Sequence, residues 1–279
     1  MIYEIILYFF IYGFLGWCVE VAYAGVKEKR FINRGFLNGP ICPIYGVGVM
    51  IVVHFLDTYK NNIILLFLAS VIMVTVLEYI TGLVLEQIFH NKWWDYSNRP
   101  WNIQGYVCLL FSLIWGMACV FIVKFIHPLL SIGVYYIPKI LGIFVISVCI
   151  TAMFADLYVT ASAILKMNKR LAKMDEIAKE LHRISEELGE NIYREVSEAV
   201  EKGDAAVTKM KGAGQGFADR KQDVSDDLKS RIVELKKGYR DIVTKGTKVS
   251  QRLVAAFPKM QPQKYGEVFR DFKNQLRRK

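Results

Sequence analysis

The sequence of 279 residues lacks the patterns that metal centres and disulfide-stabilised domains require. It has four histidines and five cysteines, and no two cysteines form a Cys-x-x-Cys pair. All five cysteines, at positions 18, 42, 108, 119 and 149, lie in or beside apolar runs, where cysteine behaves as a small apolar side chain. We therefore predict no disulfide framework, no metal site and no cofactor.

Charge is also scarce before residue 166. Only nine of the 36 basic residues and eight of the 26 acidic residues lie there, although the net charge of the chain is +10. This split predicts a membrane bundle over residues 1–165 and a basic cytoplasmic tail over residues 166–279. Such a tail suits an anionic lipid surface. We expect no nucleic-acid partner, because lysine and glutamate are interspersed in the tail and no nucleic-acid motif occurs.

Long apolar runs predict an all-α, polytopic membrane bundle, because about 20 apolar residues in a helix cross a bilayer. We predict about five spans, over residues 2–25, 41–56, 63–90, 105–127 and 138–165. The first run is too long and too poor in basic residues for a cleavable signal peptide. The second run is short, so either its start is non-helical or Pro43 occupies its first turn. Residues 128–136 are predicted to form a turn or a re-entrant piece.

The loops between these spans differ in charge. Loop 26–40, the connector at 91–104 and the start of the tail are rich in lysine and arginine, whereas the opposite loops are not. The positive-inside rule therefore predicts an external N-terminus and a cytoplasmic tail. Loop 26–40 is the predicted place for a partner to dock, through Lys27, Lys29, Arg30 and Arg34.

Carboxylates inside apolar runs are the strongest functional signal, because each costs about 2.5–3.5 kcal/mol to insert. Glu20, Glu78 and Asp156 lie in predicted spans. Glu20 shares a helix face with small residues, and it either points into the bundle or reaches the interface. Glu86 lies about 12 Å along the helix from Glu78 and is placed to pair with His90.

The connector and the tail carry two further patterns. The tryptophans of the connector suit a membrane boundary, which does not explain its polar residues Asp95, Tyr96 and Asn102. Apolar residues at 4-3 spacing predict that the tail is a helical hairpin or an oligomerising coiled coil, with residues 211–216 as its hinge. That seam comprises Leu181, Ile184, Leu188, Ile192, Val196, Leu228, Ile232, Leu235, Tyr239, Ile242, Val249 and Leu253. A last amphipathic helix near residues 265–276 either lies on the membrane or frays.

Five motifs resemble those of a known family. They are GFLGWCVE (13–20), RGFLNGPICPIYG (34–46), LEYITG (77–82), WWDYSNRPWNIQG (93–105) and SLIWG (112–116). Residues 1–160 thereby resemble the ABC-transporter permease family of CmpB-like small multi-pass bacterial membrane proteins. The resemblance implies an integral protein of the cell (cytoplasmic) membrane that acts in transport. Because the chain lacks a GxxxxGK[ST] loop, an ATPase partner would be a separate subunit.

The motif positions of this family fall on Trp17, Glu20, Gly35, Asn38, Gly39, Pro40, Pro43, Tyr45, Gly46, Glu78, Asp95, Tyr96, Ser97, Asn102, Gly105, Ser112, Trp115 and Gly116. Together with Glu86, they are candidates for a substrate site or for a structural motif, and none is predicted to be catalytic. The leading hypothesis is a permease with a polar intramembrane site. The alternatives are a membrane-embedded enzyme acting on a lipid or peptide, and a scaffold or sensor acting through its coiled-coil tail. Membrane lipids and a second copy of the chain, joined through the tail, complete the expected partners.

Overall fold

The computed structural model describes residues 2–201, 228, 230–243 and 248–277. Helices form nearly all of the regular structure in these ranges, which confirms the predicted all-α class. The helices are α1 (Ile2–Glu28), α2 (Pro43–Leu56), α3 (Ile63–Phe89), α4 (Leu109–Phe121), α5 (His127–Tyr135), α6 (Lys139–Glu201), α7 (230–243), α8 (Lys248–Ala256) and α9 (Gly266–Arg277). A 3₁₀ turn at Asp57–Tyr59 follows α2, and a π-helical turn at Ile122–Ile126 joins α4 to α5.

In the part of the chain that the structure describes, four two-residue strands link loop segments in antiparallel pairs. They are β1 (Asn91–Lys92), β2 (Asn102–Ile103), β3 (Val107–Cys108) and β4 (Gln261–Pro262). β1 pairs antiparallel with β4, so that Lys92 lies opposite Gln261. β2 pairs antiparallel with β3 inside the connector. The first pairing therefore joins two segments that are far apart in the sequence.

Among the described residues, four helical stretches are long and apolar enough to cross a membrane: Ile2–Glu28, Ile63–Phe89, Leu109–Tyr135 and Lys139–Glu187. α2 is also apolar, but it has only 14 residues. It is therefore about 21 Å long, which is less than the roughly 30 Å of a hydrocarbon core. The count of five spans stays a prediction.

The prediction of a turn or re-entrant piece at 128–136 is wrong. α4, the π-helical turn and α5 form one helical run from Leu109 to Tyr135. Pro128 lies in the first turn of α5, directly after the π-helical turn. A π-helical turn shifts the hydrogen-bonding register, so the missing proline amide does not break the run.

Small residues let α1 and α2 pack at close range. A Cβ atom on Gly46 would lie 2.5 Å from the carbonyl oxygen of Phe9, and Gly16 lies against the Tyr45 side chain. α2 begins at Pro43, as in the alternative that puts Pro43 in the first turn. Residues 29–42, which precede it, are irregular.

The described chain forms two compact units. The first contains residues 2–166 and 248–266, and the second contains residues 167–201, 228, 230–243 and 267–277. α8 and β4, which the sequence analysis assigned to the tail, thus belong to the first unit. The predicted domain boundary near residue 165 otherwise stays a prediction.

In the second unit, α7 packs against α6. Arg231 Nη2 lies 3.0 Å from Glu180 Oε1, while Gly238 faces Ile177 earlier on α6, so the two helices run antiparallel. The predicted hinge at 211–216 lies outside the described residues, and the coiled coil stays a prediction.

α9, also in the second unit, has a covered apolar face. Phe269 and Phe272 are 4% and 2% exposed. The side chains that would anchor this helix to a membrane are therefore buried in the protein, which argues against the membrane-surface alternative.

Candidate functional site

Loop 29–42 folds back along α1. The Cys42 amide donates a 2.9 Å hydrogen bond to the Gly13 carbonyl, and the Trp17 indole donates a 2.8 Å bond to Asn33 Oδ1. At 1.5 Å per residue, Gly13 lies about 22 Å before the end of α1. The loop is therefore irregular backbone beside a membrane helix, which is tolerated where protein groups satisfy its polar atoms.

Asparagine, aspartate and threonine side chains satisfy those polar atoms. Asn33 Nδ2 donates to the Asn38 carbonyl at 2.7 Å. Asp156, on α6, accepts hydrogen bonds from Asn38 Nδ2 at 2.7 Å and from the Gly39 amide at 2.6 Å. Thr160, one turn later, is buried and accepts from the same Asn38 nitrogen at 2.9 Å. The Asp156 carboxylate thus anchors the loop.

Glu20 is held by two partners. The Tyr45 hydroxyl donates a 2.6 Å hydrogen bond to Glu20 Oε1, and Arg34 Nε lies 3.3 Å from Glu20 Oε2. The Arg34 guanidinium also lies over the Tyr23 ring, 5.3 Å from its centroid. These contacts favour the alternative in which Glu20 points into the bundle with its charge balanced.

Glu78, on α3, has an unsatisfied carboxylate oxygen. The residue is only 9% exposed. The Tyr96 side chain forms a hydrogen bond with its carboxylate. Oε2, however, has no hydrogen-bond partner among the described residues, and no lysine or arginine among them pairs with Glu78.

Each of these two carboxylates is bonded to a tyrosine hydroxyl, Glu20 to that of Tyr45 and Glu78 to that of Tyr96. The charges of Glu20 and Glu78 both act on the hydroxyls of Tyr45 and Tyr96. The Trp115 ring covers Tyr45 edge-on, with 5.5 Å between ring centroids. Burial and then the charge of Glu78 raise the pKa of Tyr96, so its hydroxyl remains a hydrogen-bond donor at neutral pH. We call Glu20, Tyr45, Glu78 and Tyr96 the polar site.

The other polar residues of the connector fix the connector itself. Asp95 Oδ1 accepts hydrogen bonds from the Ser97 amide at 3.0 Å and hydroxyl at 2.6 Å, and Lys92 Nζ lies 3.3 Å away. Burial raises the pKa of Asp95, but these contacts outweigh it and hold the pKa below its ordinary value. Asn102 Oδ1 accepts from the Gly105 amide at 3.1 Å. These side chains shape the loop beside the polar site.

Glu86 lies outside the polar site, and its predicted pairing with His90 is wrong. Its Oε2 accepts from the Tyr106 hydroxyl at 2.7 Å, and its Oε1 accepts from Gln263 Nε2 at 2.8 Å. Burial and then the bond to Glu86 raise the pKa of Tyr106 to about 12. His90 ends α3 in a left-handed conformation, with φ +54°, which takes its side chain off the helix face that carries Glu86.

The remaining candidates divide between the interior and the surface. Ser112, on α4, is buried, and Arg34 is engaged with Glu20. The exposed candidates are Lys27, Lys29, Arg30, Pro40 and Ser97. Three of the four predicted docking cations are therefore open to a partner.

Three residues of the loop network were missed by the sequence analysis. Asn33 and Thr160 hold loop 29–42, and Arg252, on α8, donates into the same loop. The signal for Thr160 was its place one helical turn after Asp156. Arg252 had no local signal, since its acceptor in Gly35 is 217 positions away.

The polar site offers carboxylates, hydroxyls and aromatic faces. In the part of the chain that the structure describes, no group of three His, Cys, Asp or Glu side chains is placed to hold a metal ion. The free oxygen of Glu78 is able to hold a proton or a cationic group through charge and hydrogen bonding.

Comparisons with known proteins identify the family. No curated protein and no solved structure matches the chain. A family model described as "Putative ABC-transporter type IV" matches residues 7–161, which is more than half of the chain and includes the polar site. The protein therefore belongs to this ABC-transporter type IV family of membrane proteins, as the resemblance of its motifs predicted.

Proposed function

We propose that the protein is the membrane-spanning permease subunit of an ABC-type transporter and that the polar site binds the transported solute. Family membership and the four apolar helical stretches support a membrane transporter component. The observation that carries the site is Glu78, which is buried while its Oε2 is unbonded by the described residues. A carboxylate at membrane depth is costly and marks a functional site.

The chemistry of the polar site favours a solute with an ammonium group. Arg34 already balances the charge of Glu20, which leaves Glu78 as the carboxylate available to a ligand. A bound ammonium would donate hydrogen bonds to Glu78 Oε2. Tyr45 and Trp115 form an aromatic pair at the polar site, and aromatic rings attract a cation.

The energy source is proposed to be a separate ATPase subunit in the cytoplasm. Lys27, Lys29 and Arg30 are exposed at the end of α1, where such a subunit would dock. This assignment puts loop 29–42 and the connector on the inner side of the cell membrane, with the N-terminus outside.

A pull-down tests the partner. Full-length protein is isolated from its native membrane in mild detergent, and co-purifying proteins are identified by mass spectrometry. We expect a stoichiometric ATPase subunit. Recovery of the protein with only further copies of itself would contradict an ATP-driven mechanism.

Uptake into vesicles tests the site. The purified assembly is reconstituted, supplied with ATP, and offered a pool of isotope-labelled amines and amino acids. We expect Glu78→Gln to lower uptake about tenfold or more, because a hydrogen bond to a charged group contributes roughly 1.5–3 kcal/mol. Glu78→Asp should retain part of the uptake. Glu187→Gln, which alters an exposed carboxylate on α6, is the matched control. Equal uptake by wild type and Glu78→Gln would overturn the assignment.

A further inference from the structure

Residues 248–263, from α8 to β4, form a segment that we call the strap. Leu253, Ala256 and Met260 on the strap are each at most 2% exposed, so its inner face is firmly packed. The strap belongs to the first unit, yet the chain enters the second unit both before and after it. It also lies beyond residues 7–161, which the family model matches.

Arg252 attaches one end of the strap to loop 29–42. Its guanidinium donates to the carbonyl oxygens of Gly35 at 2.8 Å and Phe36 at 3.0 Å, with a longer contact of 3.4 Å to that of Asn33. Its Nε donates to Asn38 Oδ1 at 3.0 Å. A planar guanidinium with five donors fits this spread of acceptor oxygens, whereas a compact ammonium group does not.

The other end of the strap is attached to the connector. The Phe257 ring meets the Trp93 ring edge-on, with 5.0 Å between centroids. β4 pairs with β1. Gln263 donates from its side chain to Glu86 at 2.8 Å and from its amide to the His90 carbonyl at 3.0 Å. The strap therefore contacts both loops that carry family motifs.

We propose that the strap is a displaceable cover over the docking surface of the ATPase subunit, so that binding of the strap and binding of the subunit exclude each other. The identity of this partner rests on the proposed function. Without the strap, the surface would expose the carbonyl oxygens that Arg252 binds. It would also expose the ring of Trp93, which is 3% exposed with the strap in place. A partner helix that presents an arginine next to an aromatic side chain has the matching chemistry. Lys27 lies in the last turn of α1, and Lys29 and Arg30 follow that helix. All three are exposed and lie close in sequence to the carbonyl groups that Arg252 binds.

A disulfide reports whether the strap is docked. Lys92 and Gln261 face each other in the antiparallel β1–β4 pair, where opposite Cα atoms are close enough for a disulfide. The Lys92→Cys/Gln261→Cys protein is oxidised in native membranes, and each single variant controls for reaction with the native cysteines. We expect efficient cross-linking with Arg252 present. In the Arg252→Ala protein, the ratio of docked to undocked strap should fall roughly tenfold, since charged hydrogen bonds are lost, and cross-linking should fall with it.

We call the hydrogen bonds from Arg252 to loop 29–42 the latch. Two comparisons separate the loss of this latch from general damage to the fold. Millimolar guanidinium chloride should restore cross-linking in the Arg252→Ala protein, whereas methylammonium chloride should not, because only the former reproduces the planar donor set. Arg240→Ala alters an arginine that bonds the Lys236 carbonyl of its own helix, and it should leave cross-linking unchanged. Undiminished cross-linking with Arg252→Ala, or no response to guanidinium, would overturn the latch.

Mutual exclusion of the strap and the ATPase subunit is measured as the amount of ATPase subunit that co-purifies per molecule of this protein. We expect the oxidised double-cysteine protein to capture several-fold less subunit than its reduced form, and Arg252→Ala to capture more than wild type. Equal capture in all forms would overturn exclusion while leaving the permease function intact. Failure to capture an ATPase with any variant would instead count against the proposed function and against exclusion, while the cross-linking result on the latch would stand.

Discussion

Gly105 closes the connector in a left-handed backbone conformation, with φ +73°. A Cβ atom there would lie 2.5 Å from Asp95 Oδ1 and from Ser97 Oγ, and 2.6 Å from Lys92 Nζ. Gly105→Ala should therefore lower the free energy of unfolding by about 1–3 kcal/mol, through backbone strain and displaced hydrogen bonds. Thermal unfolding in detergent measures the loss.

The control at this scale is Gly133→Ala. Gly133 lies within α5, and a Cβ atom there would meet nothing within 4 Å. Alanine should be neutral or stabilise the helix by about 0.5–1 kcal/mol. Similar losses from both substitutions would show that the conformation of Gly105 is not the cause.

At the scale of secondary-structure elements, the close contact of α1 with α2 depends on a small residue at Gly46. The nearest atom to an added methyl group is a backbone oxygen, that of Phe9, which cannot rotate away. Gly46→Ala should therefore separate the helices and destabilise the protein by about 1–3 kcal/mol, a typical cost of overpacking.

Gly48, two residues later on α2, provides the comparison for Gly46. A Cβ atom at Gly48 would lie 3.1 Å from a terminal carbon of Leu77, a flexible side chain that is able to move. Gly48→Ala should accordingly cost clearly less than Gly46→Ala in the same unfolding measurement. A larger loss for Gly48→Ala would contradict this account of α1–α2 packing.

At the scale of the whole molecule, orientation in the membrane is open to a direct test. We expect a cysteine in place of Lys60, which follows the 3₁₀ turn after α2, to react with an impermeant maleimide in intact cells. A cysteine in place of Lys29, after α1, should react only after the membrane is permeabilised. The reverse pattern would contradict the proposed cytoplasmic docking of an ATPase.

The sequence predicted what depends on local composition, and it missed what depends on distant contacts. Apolar runs predicted the helices, and the carboxylates within them pointed to Glu20, Glu78 and Asp156, which all contact other elements in the first unit. The helical continuity at Pro128 was missed, because a π-helical turn has no simple composition signal. Arg252 was missed because the heptad pattern placed α8 in a coil, whereas its partners lie in loop 29–42.

Three of the four acceptors that surround Arg252 are main-chain carbonyl oxygens, and the carbonyl of Phe36 is one of them. A main-chain carbonyl keeps its chemistry whatever side chain its residue bears. The bond therefore does not depend on the side chain at position 36, whereas it does depend on the guanidinium of Arg252. A relative with the same loop backbone would present the same carbonyl acceptors to an arginine, whatever side chain it carries at the position of Phe36.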